Sequence, residues 1–215
     1  MTAFDVVTVL RRAALLAGSI GVVACGDSRA TAIQGLRGVR LSPVQPKPDF
    51  TLTATDGRPF NFKTDTRGTV ALLYFGYTNC PDVCPLHLTN IAAALKRMAP
   101  EDRAVVRVVF VTTDPARDTP QRLRQWLDNF DRRFIGLSGS ADSVNQVQAR
   151  LGLPPATMEM MDSSAPGPRA GYGMGHAAQV LAFTPDDSLR TEYPSGFTID
   201  DWLNDLPRLA KIKNR

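Results

Sequence analysis

Soft metal ligands are scarce in this sequence, with three cysteines and two histidines in 215 residues. That is too few for a structural zinc site beside any other use of the thiols, since such a site takes about four ligands. Charge of one sign is also lacking. The 25 basic and 21 acidic residues leave a net charge of +4, and the basic residues are scattered rather than gathered in a stripe. Nucleic acid is therefore not an expected partner. No apolar run reaches the roughly 20 residues of a comfortable membrane span, which excludes a multi-span membrane protein. Internal repeats are absent as well. What is present is ordinary globular usage, 43% hydrophobic and 21% charged, which excludes a wholly disordered chain or a collagen. A domain of this size buries most of its apolar surface and needs no disulfide staples to fold.

The N-terminus reads as a leader. Arg11 and Arg12 precede the apolar stretch Ala13 to Ala24, and Cys25 follows at once. A positive patch, about a dozen apolar residues and then small residues form the signal-peptide pattern. Val22-Val23-Ala24-Cys25 resembles a bacterial lipobox, in which cleavage leaves a lipid-modified cysteine as the new terminus. An uncleaved anchor helix and a plain secreted form are the alternatives, and all three place the domain outside the cytoplasm. The expected organisation is a lipoprotein signal peptide over 1–24, a flexible tether rich in Gly, Ser, Ala and Pro over 25–47, and one domain over 48–215.

The remainder alternates strands and helices. Asp56-Gly57 is a hairpin turn between Phe50–Thr53 and Pro59–Lys63. Val70–Tyr77 and Val105–Thr112 are continuous apolar runs, as in buried strands. Helices are expected over Pro85–Met98, from Thr119 as N-cap with Pro120 at the first position to about Phe130, over Ser140–Leu151, and from Thr198 through Leu209. Phe134–Leu137 is a short strand. Ala178–Phe183 and Leu189–Tyr193 form a late hairpin around Pro185-Asp186-Asp187, after a long loop over 154–175. The pattern predicts a three-layer α/β fold with a mixed sheet.

Cys80 and Cys84 lie between a buried strand and a helix, where α/β folds place reactive groups. A helix N-terminus favours thiolate. In helical conformation four residues at about 1.5 Å each put the two Cα atoms about 6 Å apart. That spacing suits a disulfide and equally suits two thiolates on one soft ion. Two thiolates hold Cu(I) but complete no Cu(II) site, so a histidine is expected as third ligand. His87 follows Cys84 by three residues, and His176 sits in Gly173-Met174-Gly175-His176. Spacing alone does not choose between them. Met158, Met160, Met161 and Met174 are candidate thioether ligands for Cu(I), with flexible apolar packing the commoner use of such residues.

Three stretches resemble one family. Gly76–Pro85 reads GYTNCPDVCP, Thr113–Pro120 reads TDPARDTP, and His176 is followed by an apolar strand, a Pro-Asp-Asp turn and Tyr193-Pro194-Ser195-Gly196. In this order, over about residues 46 to 212, they are similar to the Sco/SenC family of membrane-tethered copper proteins. The resemblance implies a thioredoxin-like fold, here with an N-terminal β-hairpin and a long loop before the late β-hairpin. It implies copper, Cu(I) or Cu(II), held by Cys80, Cys84 and His176, and it leaves His87 as a surface residue of its helix. Asp114 is a candidate for orienting a ligand by hydrogen bonding, and Asp118 for turn and capping chemistry.

The implied function is that of a metallochaperone receiving copper from a donor protein. It would pass the metal to the copper-A subunit of cytochrome c oxidase or another acceptor, from a lipid anchor on the periplasmic side of a bacterial cytoplasmic membrane. The alternative is a thiol–disulfide oxidoreductase that reduces target cysteines before metallation. It would use the same two cysteines and need no third ligand. On this reading Cys25 carries the lipid. Mass spectrometry of the membrane-derived protein should show a diacylated or triacylated N-terminal Cys25, and an intact Met1 would refute the assignment.

Overall fold

The computed structural model describes residues 33–160 and 171–212. The leader, Cys25 and Met161 lie outside them. An eight-stranded sheet runs in the order β1 (Val39–Pro46), β10 (Ser188–Tyr193), β9 (Val180–Thr184), β4 (Val70–Gly76), β5 (Val106–Thr112), β6 (Ile135–Ser138), β2 (Thr51–Ala54), β3 (Pro59–Asn61). β4, β5 and β6 are mutually parallel, and β9 runs antiparallel to β4. The thioredoxin-like architecture with its N-terminal β-hairpin, β2–β3, is present.

Both faces of the sheet are covered, which is why β4 and β5 read as unbroken apolar runs rather than as alternation. Leu72, Tyr74, Val108 and Phe110 face one side. They pack there on Leu88, Ile91 and Leu95 of α2 (Val83–Arg97), Leu123 and Leu127 of α4 (Pro120–Asp128), and Trp202, Leu206 and Leu209 of α6 (Ile199–Ala210). Leu73, Phe75, Val109 and Val111 face the other side, against Phe62 of α1 (Phe62–Asp65) and Val144 and Val147 of α5 (Ala141–Arg150). A short α3 (Pro100–Ala104) leads into β5. Thr119 and Ser140 cap α4 and α5 as their side-chain chemistry demands, and Thr198 with Asp201 forms a capping box on α6.

Two expectations need correction. Residues 39–46, read as the end of the tether, are the edge strand β1, paired with β10 across an irregular register between Arg40 and Gln45. Pro43 and Pro46 disguised it, because proline is tolerated only where a strand lies at an edge or is irregular. Residues 154–175 are not a plain loop. They contain a two-stranded ribbon, β7 (Thr157–Met160) with β8 (Tyr172–Gly175).

The segment before β1 is fastened to α6 by a buried carboxylate. Asp205 accepts the backbone N–H groups of Arg37 and Gly38 at 3.0 Å, the Tyr193 hydroxyl at 2.8 Å and the Asn204 amide at 2.7 Å. Ile33 and Leu36 pack on the core beside it. Asp205→Ala would leave these donors without their acceptor. The expected cost is about 3 kcal/mol in urea unfolding, in line with the loss of a buried, charge-assisted acceptor.

Candidate metal centre

The site forms where β4 ends and the chain turns into α2. Val83 and Cys84 open the helix, and Cys80 lies in the turn before it. The backbone N–H of Cys84 points at the Cys80 Sγ, 3.5 Å away, so Cys80 occupies the anion-favouring end of the helix. Cys84 is fully buried beneath the last residue of β4. A β-carbon at that residue, Gly76, would stand 2.7 Å from the Cys84 Sγ and 2.9 Å from Phe110. Only glycine lets the sulfur sit there.

His176 arrives from the other direction, in the link between β8 and β9. Its Nδ1 donates to the Ala177 carbonyl at 2.9 Å, since a carbonyl can only accept. That leaves the Nε2 lone pair facing the Cys84 Sγ at 3.7 Å. Among the described residues, Cys80, Cys84 and His176 offer ligand atoms that all lie within 4.8 Å of one another. The two thiols are free. The wall behind them is aromatic. The Tyr74 hydroxyl donates to the Cys84 Sγ at 3.4 Å, and the rings of Tyr74 and Tyr77 meet His176 edge-on.

The two thiols are electrostatically unlike. The Cys84 thiol donates to the Cys80 sulfur, and the Asp82 and Cys84 backbone N–H groups add to this, so the Cys80 pKa falls to about 4. Burial pushes the Cys84 pKa up, and the neighbouring Cys80 thiolate pushes it further. At neutral pH the pair holds one half-buried nucleophilic thiolate and one buried thiol.

His87 is not a surface residue. It is 3% exposed and stacks edge-on against Tyr74, 5.2 Å between ring centroids. The pattern Leu88, Ile91, Leu95 placed the buried face of α2 but did not show that α2 also turns Cys84 and His87 toward β4. Burial lowers the His87 pKa, and His87 stands outside the three-donor cluster.

The two aspartates do not touch the donors. Asp118 accepts from the Thr78 backbone and hydroxyl at 3.0 and 2.5 Å and from the Thr112 hydroxyl at 2.6 Å. With Arg122, bonded to Thr78 and Asn79, it fixes the turn that presents Cys80. It is a buried clamp, while Thr119 does the capping. Asp114 pairs with Arg117 and accepts the Tyr172 hydroxyl at 3.0 Å. Arg117 stacks on Tyr172, 3.6 Å from its ring, and donates to its carbonyl. These contacts hold β8, and β8 leads into His176. Gly76, Tyr74, Tyr77 and Arg117 were not singled out from the sequence, although Gly76, Tyr77 and Arg117 lie inside the quoted motifs.

Comparison with known proteins points to one family. The SCO1/SenC family model matches residues 41–211. A relative from Stutzerimonas stutzeri is 32% identical over 164 residues, covering 75% of this chain and 76% of its own. Thermus thermophilus Sco1 in its apo form superposes with a TM-score of 0.69 at 30% identity, covering 81% of this chain and 96% of that one. Copper-bound ScoI of Bradyrhizobium japonicum gives 0.63 at 28% identity, covering 77% and 99%. The chain spans only 32% and 51% of the length of two yeast relatives that it matches.

The thiol asymmetry is measurable. In the reduced protein, alkylation of Cys80 should stay fast as pH falls and lose half its rate near pH 4, because the folded state keeps the thiolate down to its lowered pKa. Cys84→Ala removes the largest cause of that lowering and should move the midpoint upward. A Cys80 midpoint near the ordinary thiol value of about 8.5 would contradict the arrangement.

Proposed function

The chain belongs to the SCO1/SenC family, and from that premise we propose that it is a copper carrier whose cargo is held by Cys80, Cys84 and His176. The observation that carries this reading is the convergence of two sulfurs and one imidazole nitrogen within 4.8 Å. The donor set fits the ion. Thiolates are soft ligands for Cu(I), and an imidazole nitrogen supplies what Cu(II) also requires. The Ala177 carbonyl fixes the His176 tautomer so that Nε2 is the free donor. Cys84 gives up its proton when it ligates, whereas Cys80 already stands as thiolate. Release is ligand exchange, with an acceptor's thiolates replacing Cys80 first, since Cys80 is the more accessible of the two.

The leader and the family support a place for the domain in the cell envelope. We assign residues 1–24 as a lipoprotein signal, Cys25 as the lipid anchor, and cytochrome c oxidase, at its copper-A centre, as the acceptor. None of the described helices is long and apolar enough to cross a membrane. A thiol–disulfide exchange role rests on the same cysteine asymmetry, in which one sulfur attacks and a buried neighbour resolves.

Replacing each histidine separates these readings. His176→Ala should weaken Cu(II) binding by at least about 100-fold and abolish the thiolate-to-copper band, because a direct ligand outweighs its supporting contacts. Disulfide exchange should survive that change. His87→Ala should leave the copper spectrum intact but lower stability by about 2 kcal/mol, as expected for a truncated buried ring. A normal Cu(II) site in His176→Ala would overturn the ligand assignment.

A further inference from the structure

Four of the chain's six methionines, Met158, Met160, Met161 and Met174, fall in the β7–β8 ribbon and its connection. Packing is the ordinary use of such side chains, but it does not account for these. Met158 is 62% exposed and Met160 82% exposed. The ribbon is a separate two-stranded sheet, not an edge of the main one.

Its register explains how the sulfurs are arranged. Met158 pairs with Met174, and Met160 pairs with Tyr172. Directly opposed residues share a face of the pleat, and so do residues two apart on one strand. Met158, Met160 and Met174 therefore stand on one face, with Tyr172 as the fourth member. Glu159 alternates to the other face, against Gly175. Every aliphatic side chain on the methionine face is a thioether, where a strand built only for apolar contact would use Val or Ile. Opposed Cβ atoms lie about 5 Å apart and next-but-one residues about 7 Å apart, within reach of three flexible unbranched side chains converging on one ion.

We propose that this face is a second metal site, a thioether site that captures Cu(I). Thioethers are neutral and soft, so they select Cu(I) over Cu(II) and over zinc. The nearby cation Arg117 is neutralised by Asp114. Only Gly175 separates Met174 from His176, so at most about 7 Å of chain lies between the two sites. Passage from one to the other is ligand exchange without electron transfer. Cu(I) leaves three neutral sulfurs for the two thiolates and the imidazole, and the Cys84 proton goes to solvent. The transfer rests on the copper reading of the Cys/Cys/His site, but capture by the thioethers does not.

The test uses full-length protein in detergent under reducing conditions, titrated with Cu(I) against a chromophoric chelator. Unaltered protein should take up about two Cu(I) per chain, and the Met158→Leu/Met160→Leu/Met174→Leu variant about one. The Cys80→Ser/Cys84→Ser variant should still take up about one, with X-ray absorption showing sulfur ligation without thiolate, and adding the leucine substitutions should abolish it. Failure of the copper reading would instead remove binding from the thiol site while the methionine-dependent ion remains. If the triple leucine variant, folded by circular dichroism, retains both Cu(I) ions, the thioether site is refuted, and the exposed methionines are then a contact face for a protein partner.

Discussion

The Sγ of Cys84 rests against the backbone at the end of β4, in space that any side chain larger than hydrogen at residue 76 would occupy. Much of the site follows from that contact. It brings α2 down onto the strand, so Cys84 and His87 are buried and Cys80 is left at the open N-terminus of the helix. It places a thiol in surroundings where ionisation is penalised. It also sets Cys84 beside Tyr74 and opposite His176. Without the glycine, the helix would stand off from the sheet and the sulfurs would lose their shared neighbour.

Around that contact the protein spends its polar groups on position rather than on direct ligation. Asp118 and Arg122 hold the turn before Cys80, and Asp114, Arg117 and Tyr172 hold the ribbon before His176. Each carboxylate is buried and satisfied, which is the condition under which buried charge orders a structure instead of weakening it. The loop after β5 thus works on both halves of the site, because β5 is the immediate parallel neighbour of β4.

How much of this the sequence disclosed depends on range. The buried strands, the caps at Thr119, Ser140 and Thr198, and the Asp56-Gly57 hairpin are local signals, and they were legible. Spacing alone could not choose between His87 and His176. The choice came from a family resemblance, and the register of β9 against β4 gives it a spatial basis. His87 was misplaced because helical periodicity shows which face is apolar, not how closely the helix end approaches a strand. β1 was missed because two prolines and an irregular register broke its alternation. The ribbon was missed because its apolar residues are methionines facing solvent, a pattern without the usual contrast between inner and outer faces.

The nitrogen and sulfur donors are far apart along the chain, with His176 92 positions after Cys84. An ion bound by all three closes a loop of that size, as a disulfide would, and lifting the ion opens it. A covalent closure of about 100 residues restricts the unfolded chain by about 4.7 kcal/mol in the entropic account, and a metal that binds only the folded form adds to stability by its own occupancy. A molecule loaded in that way would be a stapled one and the empty molecule an unstapled one. On the copper reading, losing the ion would remove part of what holds the chain folded, so resistance to proteolysis would read out occupancy of the three donors.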